Sequence, residues 1–262
     1  MTLSQRESSA LSPREVRALN RANRLDRNTS GLCSEFVQAN LVVLPLADAF
    51  DFLRFCQYNP RACPVIDVTE PGDFEPKIAA PGADLRTDIA RYQLYRDGEL
   101  VAEQRDILDI FNGDMVSFLI GCSYSFEHRL AKAGVPLRHH EQRIDGAPMY
   151  ITNRKCVPAG RFSGRLVVTM RPVPSSLVSE AVSVTARHPE SHGAPVSVGN
   201  PQSLGITDLR KPDWGEPVQL HAGDVPVFWA CGVTSQQIAL ESKVDFMITH
   251  SSGYMFVTDI SI

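Results

Sequence analysis

Three short runs in the second half of the chain, "GRLVVTMRPV", "VPVFWACGV" and "FMITH", constrain the fold more than any other feature. Each is apolar and β-branched almost throughout and is bounded by Gly, Pro or polar residues. That is the pattern of a short strand buried on both faces. Between the runs, "PSSLVSEAVSVTARHP" and "TSQQIALESK" have helical character. Such alternation predicts an α/β architecture, a mixed α/β fold with mixed sheets, arranged as two interleaved subdomains.

Upstream, "SPREV" offers Ser12 as N-cap, Pro13 at the first helical position and Glu15 as capping-box partner, so a helix is expected over 13–25. Helical signals dominate the first 60 residues: "FVQANLVVLP" reaches Pro45, and "LADAFDFLRFCQYN" has apolar residues at helical spacing before Pro60. "CPVIDVTEPGD" predicts a short buried strand, residues 71–88 a long ordered loop, and Asp97-Gly98 within "RYQLYRDGELV" a hairpin. "DMVSFLIGCSYSFEHRLAKAG" reads as a helix broken at Gly121 and followed by another that closes near Gly134. The stretch 60–110, poor in helix signal, is a candidate smaller subdomain within one unit spanning 1–262. No internal repeat and no low-complexity linker is visible.

Composition excludes several functions. A formal net charge of −4, with acids and bases well mixed, argues against a nucleic-acid grip. No apolar run approaches the roughly 20 residues that span a bilayer. The six cysteines form no CxxC pair, which removes zinc-ribbon and thioredoxin-type readings. With no secretory h-region near Met1, six free thiols in a reducing, cytoplasmic setting are expected. The arginine-rich first 30 residues hold Glu7, Glu15 and Asp26, which disfavours a transit peptide.

Motifs for cofactors are missing as well. There is no GxGxxG and no P-loop, and "GRFSG" lacks the spacing of a nucleophile elbow. His139 and His140 are adjacent, so their side chains diverge in regular structure; His188 and His192 lie beside Pro189 and Gly193. No metal and no cofactor is expected. What remains is a set of polar clusters at the edges of apolar elements: 121–127, 138–142, 149–154, 187–195, 230–237 and 248–259. Singly, each is a cap, a turn or a satisfied core group; jointly, they look like loops converging on one pocket.

Long segments among them, "CPVIDVTEPG", "FLIGCSYSFE", "PMYITNRKCVPAGRFSGRLVVTMRP", "HGAPVSVGNP", "VPVFWACGVT" and "ITHSSGYMFVTD", closely resemble the D-glutamate cyclase family. The resemblance covers nearly the whole chain and includes short bacterial members known as hydro-lyases of unassigned substrate. Two positions depart from the family pattern: after "HGAP" a histidine and then Gly-Asp-Pro are expected, where this chain has Ser197 and Asn200.

The resemblance implies cyclisation of D-glutamate to 5-oxo-D-proline with loss of water. That reaction needs a base for the amine, an acid for the leaving hydroxide and donors for the oxyanion. An arginine fork suits the untouched carboxylate. Cys122, Glu127, His192, Cys231 and His250 are the candidate catalytic residues. Ser123, Ser125, Tyr150, Asn153, Arg171, Arg187 and Thr234 are the candidate substrate contacts. At a helix N-terminus Cys122 is expected to be the more acidic thiol, whereas burial raises Cys231, which reads as pocket-lining first and nucleophile second. The partner is a small carboxylate or amino acid, and a homo-oligomer is compatible with the sequence. Two rival readings are a hydro-lyase acting on another small hydroxy or amino acid and a non-catalytic carboxylate-binding protein.

Overall fold

The computed structural model describes residues 11–262. Chain order runs α1 (Pro13–Arg21), β1 (Phe36–Pro45), α2 (Leu46–Tyr58), β2 (Val65–Val68), β3 (Tyr92–Arg96), β4 (Glu99–Gln104), β5 (Met115–Gly121), α3 (Tyr124–Lys132) and α4 (Arg138–Glu141). It continues with β6 (Met149–Lys155), β7 (Arg165–Pro174), α5 (Val178–Ala186), β8 (Ser197–Val198), β9 (Asp224–Ala230), α6 (Thr234–Glu241), β10 (Phe246–His250) and β11 (Phe256–Ser261). The fold is mixed α and β. A seven-stranded sheet has the order β2-β5-β1-β10-β3-β4 with β11 also on β1, and a four-stranded sheet has the order β6-β7-β9-β8. Each of these strand pairings is antiparallel, so neither sheet is mixed.

Local signals explain many elements. The Ser12–Glu15 capping box starts α1, which ends at Arg21 rather than at 25 because Asn23 turns to positive φ. Asp97 and Gly98 both have positive φ, as a tight hairpin turn requires. Two stretches differ from expectation. "FVQANLVVLP" is strand β1, and "MVSFLIG" is strand β5 rather than a helix. Both are covered on both faces, so they lack the alternation that marks a strand. β2 is an edge strand with Val65 and Val68 partly exposed rather than a buried one.

One face of the large sheet packs on α2 and α6 through Val42, Phe118, Phe52, Phe55, Ile238 and Ala239. The other face is closed by the irregular stretch after β2, through Ala79, Ala80, Leu85 and Ile89 against Leu41, Val43 and Leu119. Asp67 pins that stretch by accepting from the Ile78 and Ala79 amides at 3.0 and 2.9 Å. The Asp88 carboxylate, fully buried, takes a two-pronged bond from Arg21. No helix among the described residues is long and apolar enough to cross a membrane.

The two sheets repeat one plan, contrary to the expectation of no internal repeat. β1 pairs with β5 from Pro45↔Met115 to Ala39↔Gly121; β7 pairs with β9 from Pro174↔Asp224 to Val168↔Ala230. Pro174 therefore takes the place of Pro45, and Ala230 that of Gly121. The outer strands follow the same rule. β11 sets Phe256 opposite Ala39 and Val257 opposite Gln38, while β6 sets Tyr150 opposite Val168 and Ile151 opposite Val167. Their sequences, "MYITN" and "MFVTD", match position by position. Each half thus lends its last strand to the other, and the halves interleave.

Candidate functional site

The duplicated plan puts a cysteine one residue beyond each central strand: Cys122 after β5 and Cys231 after β9, each leading into a helix. Three residues on, Ser125 and Thr234 donate backbone N–H to the Cys122 and Cys231 carbonyls at 3.1 and 3.0 Å. Their hydroxyls accept the amides of Gln38 and Val167, which are themselves equivalent residues, at 2.9 and 3.1 Å. Ser125 and Thr234, expected to touch substrate, are therefore committed to fixing helix starts.

The two starts meet at Asn40. Its Nδ2 donates to the Ile120 and Gly121 carbonyls at 3.1 and 2.8 Å. A Cβ on Gly232 would lie 2.1 Å from that same nitrogen, so only glycine lets the second start close on it. A Cβ on Gly121 would lie 1.6 Å from the Glu190 carbonyl, which brings the 187–195 loop against the first start. Segments 121–127, 187–195 and 230–237 thus adjoin one another.

Arg171, on β7, supplies the charge. It is 1% exposed, and its Nε and Nη2 donate to Glu127 Oε1 at 3.1 and 2.6 Å. Nη2 also reaches Ser123 Oγ at 3.0 Å, and the guanidinium carbon lies 5.2 and 5.7 Å from the Phe126 and Trp229 ring centres. Nη1 has no hydrogen-bond partner among the described residues. A buried guanidinium donor left without an acceptor is costly, so Nη1 is a donor that an anion or a water can satisfy.

Burial works to raise the Glu127 pKa, but His139 and Arg171 hold it well below the carboxylate range. Glu127 therefore stays charged near neutral pH. His139 Nε2 stands 3.1 Å from Oε1, and Ser30 Oγ donates to Oε2 at 3.0 Å while lying 2.8 Å from His140 Nε2. Contrary to the divergence expected of adjacent histidines, both rings turn to this buried carboxylate, with centres 4.3 Å apart. The ligand atoms of Glu127, His139 and His140 lie within 4.8 Å of one another, close enough to hold a cation. Arg171 already neutralises that carboxylate, which disfavours a second positive charge there.

His192 sits in the left-handed region at φ 78°, a strained backbone for a non-glycine residue. Its Nδ1 lies 2.8 Å from the Arg61 carbonyl, and Nε2 is unpaired among the described residues. Burial pulls its pKa down to about 4, so the ring is neutral at pH 7. It lines a surface cleft of about 640 Å³ with Arg61, Cys63, Pro64 and Glu190. His250 is likewise pulled down to about 4 by burial, but its Nδ1 accepts the Leu41 amide at 3.2 Å.

Cys122 and Cys231 are 7% and 8% exposed. Burial raises both thiols, Cys231 to about 11 and Cys122 further. The expected order, with Cys122 the more acidic, is reversed because desolvation outweighs the helix end. Other expected contacts are placed elsewhere. The Tyr150 hydroxyl donates to the Leu209 carbonyl at 2.7 Å, and Asn153 and Arg187 are exposed. Ser197, on edge strand β8, pairs with Phe228 of β9, and Asn200 directly precedes a short 3₁₀ turn without a side-chain capping bond. Sequence reasoning passed over Asn40, for which two side-chain amides in "QANLVV" were the available signal, and set His139 aside.

A family model described as D-glutamate cyclase matches residues 116–259. A provisionally named hydro-lyase of Geobacillus kaustophilus is 53% identical, covering 95% of each chain. Another from Stutzerimonas stutzeri is 54% identical over 95% of this chain and 94% of its own. A third, from Bacillus velezensis, is 53% identical over 96% and 95%.

Proposed function

The chain belongs to the D-glutamate cyclase family, and from that premise we propose that it is a hydro-lyase closing D-glutamate to 5-oxo-D-proline and water. The observation that carries the reading is the buried Nη1 of Arg171, unpaired beside two helix starts that each present a thiol. A substrate α-carboxylate would supply the missing partner, and the positive ends of α3 and α6 would add to its binding.

Neutral His192 is the base that frees the amine, its proton site being the unpaired Nε2. The thiols are protonated near pH 7, which suits them to donate to the departing hydroxide rather than to attack. A covalent thioester is unnecessary, because the amine is already tethered beside its carbonyl. Incubating the full chain with D-glutamate should yield a product lighter by one water and without a new alkene. Arg171→Lys keeps the charge but loses the fork, and should reduce kcat/KM by about tenfold to a hundredfold. An unchanged kcat/KM would remove Arg171 from the reading.

A further inference from the structure

The relation between the halves has a handed consequence for the two thiols. Each half lends its last strand to the other at equivalent registers, β6 to β7 and β11 to β1. The helices exchange too. Phe126 and Leu130 of α3 pack with Val173 and Ala181 of the second half, and Ile238 and Ala239 of α6 pack with Val42 and Phe52 of the first. A reciprocal exchange means that the operation relating the halves is its own inverse, an approximate two-fold. Equivalent residues then stand on opposite sides of the axis, and Cys122 and Cys231 are equivalent.

Asn40 shows that both sides come close together, being bonded to Gly121 and abutting Gly232. Arg171 breaks the symmetry. Its counterpart on β1 is Val42, paired with Phe118 as Arg171 is with Val227. Arg171 therefore gives a carboxylate-sized anion one place to bind, and both thiols lie close enough to it to feel its charge.

We propose that Cys122 and Cys231 form a two-sided proton-transfer pair that inverts the Cα configuration of an α-amino acid whose carboxylate is held by Arg171. One thiolate takes the Cα proton: the C–H bond breaks, an S–H bond forms, and the electron pair moves into the carboxylate. The opposite thiol then gives its proton to the other face of the planar carbon. The two sulfurs end with their protonation states exchanged, and no oxidant or reductant is required. Arg171 Nη1 faces the carboxylate oxygen on which charge grows, the arrangement that most lowers such a barrier. Burial leaves the reactive thiolate scarce but strongly basic, so inversion should quicken as pH rises towards about 11.

The inference rests on the same role for Arg171 as the proposed cyclisation, but its test separates the two. The full chain is incubated in heavy water with D-glutamate and, separately, L-glutamate, and the enantiomers are resolved and weighed. The inverted enantiomer should carry one deuterium at Cα while the remaining starting enantiomer keeps protium, since the incoming proton comes from the opposite, solvent-exchanged thiol. Cys122→Ser and Cys231→Ser should each slow inversion about 100-fold or more. Should either variant fold poorly, the wild-type isotope pattern decides alone. Cyclisation without Cα deuterium or inversion overturns the thiol pair and leaves the cyclase reading intact. Deuterium entering the unreacted enantiomer first also overturns it, because a single base would then be removing and returning the proton. Inversion without cyclisation supports the pair and removes the cyclase; neither reaction removes both.

Discussion

The two halves of the molecule share a scaffold and differ in what they bury. Five residues after Cys122 stands Glu127, and five after Cys231 stands Gln236; both are at most 3% exposed. Across from Glu127 is Arg171, whereas the β1 residue equivalent to Arg171 is Val42. The first helix start is thus built around a charged pair and the second around a neutral amide, whose Nε2 donates to the His250 carbonyl at 2.8 Å. A duplicated frame repeats its backbone bonds faithfully, down to the hydroxyls of Ser125 and Thr234. Chemistry enters where the copies diverge.

The comparison breaks most visibly on removal of the buried groups. Glu127→Ala leaves the buried Arg171 without its counter-charge and should cost about 3–5 kcal/mol, as breaking a buried pair does. Gln236→Ala removes one neutral hydrogen bond and should cost about 1–2 kcal/mol. Denaturant midpoints of the two variants measure the difference, and equal losses would mean that the charged pair is not the special feature of the first half.

Acid should act next. His192 and His250, both in the second half, are buried and have pKa values lowered from 6.5 to about 4. A base with a depressed folded pKa contributes stability that is complete above the unfolded value of 6.5 and is lost as pH falls towards 4. Each contributes roughly 3 kcal/mol across that window. Glu127 is depressed too, and its contribution disappears only in stronger acid. His192→Gln should flatten the stability slope between pH 6.5 and 4 by about one proton. A slope unchanged in the variant would show that His192 is already solvated in the fold.

How much of this was legible in the sequence depends on where each signal lay. The Ser12 cap, the Asp97-Gly98 hairpin and the strands of the second half rest on local chemistry and were readable. β1 and β5 were not, because "VQANLVVL" and "MVSFLIG" are buried on both faces and carry no period. Arg171 was legible as a candidate carboxylate holder in its apolar run, but its bond to Glu127 joins residues in different halves. The repeat was hidden because the first copy carries the 71–91 stretch and the β3–β4 hairpin between β2 and β5. The second copy has only a loop with one 3₁₀ turn between β8 and β9.

The glycines offer a narrower comparison. Gly121→Ala would drive a methyl against the Glu190 carbonyl, a backbone atom, whereas Gly232→Ala meets the side-chain amide of Asn40. Overpacking costs about 1–3 kcal/mol, and the Gly121 variant should lie at the upper end because backbone must move. Trimming Asn40 to Ala in the Gly232→Ala background should recover part of the loss; no recovery would place the obstruction elsewhere.

The smallest expected effect is the sharpest probe of the pseudo-symmetry. Cys122 and Cys231 have almost the same exposure, so access alone would let iodoacetamide label them at similar rates. Burial raises the Cys122 pKa further than that of Cys231, although Arg171 lowers both. Thiolate is the reacting species, so near neutral pH Cys231 should label severalfold faster, and the gap should persist as pH rises towards 11. On the proposed arrangement, a small carboxylate held by Arg171 should protect both. Mass mapping of the labelled peptides gives the two rates. Faster labelling of Cys122 would mean that the helix end outweighs desolvation there, and protection of only one thiol would place the bound carboxylate off the axis.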